Sequence, residues 1–218
     1  MDDSGFRCDL TIVYVGLTGL ARTGKGKVAD LLFEFGEASG WAVLRYSLSD
    51  EIRGELLRSC RSEGSIHASK VRMPSRIQLI ELGNERRRQF GTGYWARRVL
   101  DRIAGGLSSQ DQSPTLVIID SIRHPGEVLE LRRTLGKRFI LVGITATSEV
   151  RHRRGQESQR PGEESGLPAQ VEEADRAIGI DTCLSEADLV IQNNDSLPEL
   201  SAKIEQLGEC VLRRSASE

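Results

Sequence analysis

Gly19-Leu20-Ala21-Arg22-Thr23-Gly24-Lys25-Gly26 is the stretch on which the reading of this chain turns. It fits G-x-x-x-x-G-K, with Gly26 where a Ser or Thr usually stands. Glycines in this order let the backbone turn and aim N–H groups at phosphate oxygens. A following helix adds its positive N-terminal end, and Lys25 supplies a point charge. The flanks agree. Leu10 to Leu17 (LTIVYVGL) is an apolar, β-branched run suited to a strand buried on both faces. Lys25 to Ala38 places Val28, Leu31, Leu32 and Phe35 at helical spacing. The pattern predicts a phosphate cradle built by Gly19, Ala21, Arg22, Thr23, Gly24, Lys25, Gly26 and Lys27. The competing possibility is a Gly-rich turn without a ligand. A dinucleotide fingerprint is disfavoured, because the glycines are not spaced G-x-G-x-x-G and Lys25 would have no task there.

Outward from the loop, strand-like and helix-like stretches alternate. Further strands are expected at Trp41–Tyr46, Thr115–Ile119, Phe139–Ile144 and Leu189–Gln192. Helices are expected over Asp50–Cys60, Ser75–Phe90, Tyr94–Ala104, Gly126–Leu135 and about Ser196–Leu212. The expectation is an α/β protein, a three-layer α/β/α fold with a five-stranded parallel sheet and right-handed crossovers. Residues 1–218 are read as one domain, with an acceptor-side insertion over about 47–104. Residues 61–74 and 105–114 read as a loop and a linker. Residues 151–168 are charged, rich in Gly and Pro and without an apolar period, so they read as a mobile surface lid.

Composition narrows the class. The 218 residues are 38% hydrophobic and 28% charged, within the soluble globular range. A formal net charge of −2 gives no bulk positive field of the kind that points to nucleic acid. The four cysteines, Cys8, Cys60, Cys183 and Cys210, form no C-x-x-C pair and suit reduced thiols. Met1-Asp2-Asp3-Ser4 lacks the basic start of a signal peptide. No apolar run approaches the roughly 20 residues that span a membrane. A cytoplasmic protein is expected; a homodimer stays open.

Four other stretches carry chemistry-bearing residues. In Ser47-Leu48-Ser49-Asp50-Glu51-Ile52-Arg53, Ser49 or Asp50 could simply cap a helix, which leaves Arg53 unexplained. Gly83-Asn84-Glu85-Arg86-Arg87-Arg88-Gln89-Phe90-Gly91-Thr92-Gly93-Tyr94-Trp95-Ala96 holds three successive arginines. A helix turns about 100° per residue, so they cannot all face one ligand. A guanidinium there would fork a phosphate; the alternative is a solvated face. Tyr94 and Trp95 could stack on a base or pack in the core. Val117-Ile118-Ile119-Asp120 ends a strand in a carboxylate, at the sheet edge where ligands bind. Asp120 could join a Mg²⁺ shell or orient the acceptor, and Arg123 could touch phosphate. His124 before Pro125 suits a turn. Arg151-His152-Arg153-Arg154 and Arg160 lie in the expected lid, where positive charge would stabilise a transferring group.

Together these segments resemble small nucleotide kinases, from about Thr11 to Leu207. Adenylate kinases carry G-K-G-T, with Gly at the place of Gly26 and Thr where this chain has Lys27. Mg²⁺ ligation by the loop is therefore open. The same enzymes carry S-T-G-D-x-L-R, whose Arg binds the acceptor phosphate; Arg53 matches it, with Ser47 and Asp50 in step. The Gly83–Gly91 segment resembles G-N-E-L-R…G of a bacterial and archaeal kinase-like family, also found as a domain of antiphage deoxycytidylate deaminases. Arg87 falls on the family arginine. The helix before Trp95 is similar to one in phage deoxynucleoside monophosphate kinases. Ala187-Asp188-Leu189-Val190-Ile191-Gln192-Asn193-Asn194-Asp195-Ser196-Leu197 resembles the "A-D-x-V-I-x-N…S-L" ending of dephospho-CoA kinases, which implies Asn193 and Asn194 near the donor base. The resemblance implies ATP and Mg²⁺ as donor and metal, Lys25, Asp120, Arg151 and Arg154 as catalytic, and Ser49, Asp50, Arg53, Arg87, Trp95 and Arg123 on the acceptor side. A nucleoside monophosphate acceptor, a dephospho-CoA-like hydroxyl acceptor and a non-catalytic nucleotide sensor all remain open at this point.

Overall fold

The structure, a computed structural model, describes residues 12–62, 74–107, 113–157 and 169–215, with backbone alone at 60–62, 169–170 and 214–215. One sheet of five parallel strands forms the middle layer, in the order β2-β3-β1-β4-β5. The strands are β1 (Ile12–Thr18), β2 (Ala42–Ser47), β3 (Thr115–Ile122), β4 (Phe139–Thr145) and β5 (Leu189–Gln192). The helices are α1 (Lys25–Ala38), α2 (Leu48–Ser62), α3 (Arg76–Phe90), α4 (Tyr94–Gly106), α5 (Pro125–Leu135), α6 (Ser148–Glu157), α7 (Ala169–Ile178), α8 (Ile180–Ser185) and α9 (Leu197–Ser215). This is the expected three-layer α/β/α arrangement.

Strand alternation sorts the core into two halves. Val13, Val15, Leu17, Leu116, Ile118, Ile140, Val142 and Ile144 face α1 and α9. Tyr14, Val117, Ile119 and Leu141 face the other layer, with Leu48, Trp95, Val128 and Cys183. Both halves are largely apolar along β1, β3 and β4, as strands covered on both faces are, with Thr18, Thr115 and Asp120 as buried polar residues on β1 and β3. Local chemistry sets the helix starts. Ser75 caps α3 in a reciprocal box with Gln78, and Pro125 opens α5 behind His124.

Alternation slips once. Gly16 pairs with Ile119 but Thr18 pairs with Ile122, so β3 carries one extra residue opposite β1. The slip returns Ile122 to the half of the core that holds Val117 and Ile119. This bulge lies at Asp120–Ser121, and Ser121 has φ of 67°.

Two regions differ from expectation. Residues 151–157 of the expected mobile lid are the end of a regular helix, α6. Helices α7 and α8 have no counterpart in the sequence pattern above. The lid beyond residue 157, including Arg160, lies outside the described residues. So do Leu10, Thr11, Cys8, the 108–112 part of the linker and most of the 61–74 loop.

Candidate functional site

The loop between β1 and α1 has the geometry of an anion cradle. Gly19 and Gly24 have φ of 145° and 93°, which L side chains rarely adopt. A Cβ on Gly19 would lie 2.2 Å from the Ile144 carbonyl oxygen, so the loop also needs glycine sterically. Thr23 Oγ1 donates to the Leu20 carbonyl at 3.0 Å. Lys25 Nζ donates to the carbonyls of Gly19 and Leu20, at 2.7 and 2.8 Å. Burial, then the positive charge of Arg123, pushes the Lys25 amine down to about 7. Asp120 and Asp175 pull the other way, and Arg76 adds to the depression. Those four side chains therefore share Lys25's electrostatic surroundings. Lys27 is exposed on α1.

A Cβ at Gly26 would meet nothing within 4 Å. The missing hydroxyl is thus a matter of sequence, not of space. Asp120 is the carboxylate at the sheet edge. Its Oδ1 accepts from the Ser121 N–H at 2.6 Å, and its Oδ2 lies 3.7 Å from Arg45. Among the described residues no group of three or more His, Cys, Asp or Glu gathers as a metal site. One carboxylate beside a phosphate loop does fit Mg²⁺, which commonly keeps waters and takes most ligands from substrate phosphates.

Several expected ligand residues hold the site together instead. Asn193 is buried and its Nδ2 donates to the Thr23 carbonyl at 2.8 Å, bracing the loop from outside. It is not open to a base. Asn194 Oδ1 accepts from the Thr147 N–H at 2.8 Å. Arg154 lies along the same wall, 3.3 Å from Asn193 Oδ1 and 3.4 Å from the Thr23 carbonyl. Arg22, in the left-handed region at φ of 64°, is buried in the loop.

Trp95 is a core residue. It is fully buried and its indole N–H donates to the Gly83 carbonyl at 3.1 Å, so it cannot stack on a ligand. Arg87 is also withdrawn. It is buried, and its Nε and Nη2 both donate to Glu127 Oε1, at 3.0 and 2.7 Å. The helical period turns Arg86 and Arg88 away from that side; Arg86 pairs with Glu55. Glu127 Oε2 accepts the N–H groups of Arg123 and His124, so the Arg87 pair fixes the turn after β3. Asp50 and Arg53 pair with each other on α2. Ser49 reaches the sheet edge, 3.2 Å from Ser121 Oγ. His124 is the turn residue its sequence suggests. Its Nδ1 accepts from the Gly126 N–H, and burial, then Arg87, lowers its pKa.

Helix α7 supplies residues that the sequence pattern did not flag. Asp175 is completely buried and bridges two arginines, Arg76 at 2.7 Å and Arg123 at 2.9 Å. One turn earlier Glu172 takes Arg151 bidentately, at 2.8 and 3.1 Å. Arg151 is therefore buried on α6, not carried on a mobile lid. Two carboxylates spaced i, i+3 on one helix thus gather arginines from α3, the turn after β3, and α6. A signal existed. Val171, Asp175 and Ile178 are buried at i, i+4, i+7, an acid set in an apolar stripe.

No protein-family model matches the chain. It is 29% identical over 187 residues to a UPF0200 protein of Halobacterium salinarum, covering 84% of this chain and 85% of that one. A UPF0200 protein of Saccharolobus solfataricus is 25% identical over 206 residues, with 94% and 96% covered. Among solved structures, a gluconokinase from Sinorhizobium meliloti 1021 matches with a TM-score of 0.51 at 15% identity, covering 94% of both chains. That likeness is one of fold. The chain has the α/β P-loop kinase fold, with the Gly19–Gly26 loop between its first strand and first helix. No helix among the described residues is long and apolar enough to cross a membrane.

Proposed function

We propose that the chain is an ATP-dependent phosphotransferase that converts a (deoxy)nucleoside monophosphate to its diphosphate. The observation that carries this reading is the surroundings of Lys25. The Gly19–Gly26 loop, with Lys25 folded onto its carbonyls, follows a strand of the sheet in which the neighbouring strand carries Asp120 near its end and leads into Arg123, which Asp175 ties to Arg76. In the reaction an acceptor phosphate oxygen attacks the γ-phosphorus, the bond to the β–γ bridging oxygen breaks, and ADP leaves. Loop N–H groups and Lys25 hold the donor phosphates and stabilise charge on the transferring group. Arg123 and Arg76 hold the acceptor phosphate; Arg87, which the sequence suggested for this, supports Arg123 through Glu127. Arg154 lies against the loop backbone, where it adds positive charge beside the donor. Asp120 would hold Mg²⁺ from the protein side, and the ion would supply charge neutralisation to the donor phosphates.

A hydroxyl acceptor, as in dephospho-CoA, is the second reading. It is favoured by Asp120 Oδ2, which no donor reaches within 3.5 Å among the described residues and which could take a hydroxyl proton. Incubation with ATP, Mg²⁺ and a panel of nucleoside monophosphates is expected to give diphosphates, followed by phosphorus NMR. Dephospho-CoA in a parallel reaction separates the two readings. Lys25→Met should lower turnover by at least about a hundredfold, as loss of a transition-state charge does. ATP binding with no transfer to any of these acceptors would sink both enzyme readings and leave a nucleotide sensor.

A further inference from the structure

The bulge in β3 raises a question of residue choice. Its extra residue, Ser121, has φ of 67°, a conformation that glycine adopts freely and L side chains resist. If only the bend mattered, glycine would serve better. Ser121 is half-buried at the sheet edge, next to Asp120, whose charge reaches Lys25. Its side chain ends a chain of three hydroxyls. Ser49 donates to Ser121 Oγ at 3.2 Å, and Ser47 and Ser49 are 2.9 Å apart. Each serine has one proton. Ser49's goes to Ser121, so Ser47's goes to Ser49. The proton of Ser121 is then the one in the chain without a partner among the described residues, and a bulge is a device that re-aims a side chain.

From this we infer that Ser121 is a specificity-determining residue whose hydroxyl donates to a phosphate oxygen of the acceptor. The inference rests on the reading of the chain as a nucleoside monophosphate kinase. Strain at an isolated backbone position persists where the surroundings enforce it, and such positions gather at ligand clamps. Here the enforcing groups are the register slip against β1, the Ser121 N–H bound to Asp120, and the hydroxyl bond from Ser49. Ser47 and Ser49 orient the donor; Ser121 delivers it. The class of ligand is a phosphate monoester, because Ser121 stands two residues before Arg123 in the chain, whose guanidinium supplies the positive charge that such an anion needs.

Two variants separate this from a purely structural role. Ser121→Gly removes the hydroxyl and relieves the backbone; Ser121→Ala removes the hydroxyl and keeps the strain. Kinetics with ATP and the monophosphate turned over, equilibrium binding of the same panel of monophosphates, and thermal denaturation are measured for both. In both variants the monophosphate KM and Kd should rise roughly tenfold, the loss of one hydrogen bond to a charged oxygen. The ATP KM should stay within about twofold, since no donor-side contact is lost. The glycine variant should melt about 2–4 °C above the alanine variant, about the shift that a kilocalorie of relieved strain gives in a chain of this size. Unchanged monophosphate KM and Kd in both variants overturn the proposal while leaving the kinase reading intact. So does recovery of wild-type KM in the glycine variant alone, which would assign the effect to geometry. If the unaltered protein binds no monophosphate, the kinase reading fails and the proposal falls with it. Binding without turnover, weakened tenfold by both variants, would uphold Ser121 and discard catalysis.

Discussion

The ammonium of Lys25 spends its hydrogen bonds on two carbonyls of its own loop, a state that an incoming phosphate must replace. Burial holds its pKa near 7, against 10.5 for a free lysine. The sign of the consequence follows from proton counts. Between pH 7 and 10.5 the unfolded chain binds more protons at this residue than the folded one, so its contribution to stability rises with pH across that window. A bound polyphosphate reverses the depression by supplying negative charge. ATP binding at pH 8.5 should therefore take up close to one proton, and affinity should fall as pH climbs from 7 to 10. Calorimetry in two buffers of different ionisation enthalpy reads the uptake, and Lys25→Met should abolish it. Equal apparent enthalpies in both buffers would contradict this account. At this scale the sequence placed Lys25 at the start of α1 and Asp120 near the end of β3, because those places follow from local patterns. It was uninformative about Ser121, whose importance lies in a backbone angle.

The elements show why the arginines were harder to assign. A single buried pair, Arg87–Glu127, ties α3 to α5 and sets the turn that carries Arg123. Removing one partner of such a pair strands a buried charge, at a cost of about 3–5 kcal/mol. Arg87→Met should thus lower unfolding stability in urea by about that amount. Arg87→Met with Glu127→Gln should recover much of it, because glutamine is neutral and still accepts the Arg123 and His124 N–H groups. If the double variant is no more stable than the single, the pair is not the source of the cost. Trp95 was misassigned for a related reason. An aromatic near an arginine run suits a base-stacking site and a core alike, and only the packing of α4 on α3 and the sheet decides. The arginine partners of the α7 acid were illegible because Arg76 and Asp175 stand 99 residues apart, and Arg123 and Asp175 stand 52 apart.

Across the whole molecule, two apolar half-cores clamp the sheet, and the phosphate loop opens where β1 passes between them. Cys183 reports on that clamp. It is completely buried on α8, where burial raises its thiol to about 12, with the charge of Glu127 adding to the shift. Cys210 is exposed on α9. Iodoacetamide at pH 8 should label the Cys210 peptide promptly and the Cys183 peptide only through opening of the fold, at a rate that urea accelerates. Equal labelling rates in the native protein would show that α8 does not seal this face. The sequence by itself determined the strands, most helices, the parallel sheet and the glycine-built turn between β1 and α1. Those follow from short-range periodicity and from a loop whose spacing admits few other conformations. Only the tertiary structure decided which arginines gather on Asp175, which is locked onto Glu127, and which serine is bent out of its strand. Each of those depends on a partner far away in the chain or on a register slip between strands, and neither leaves a local mark on the sequence.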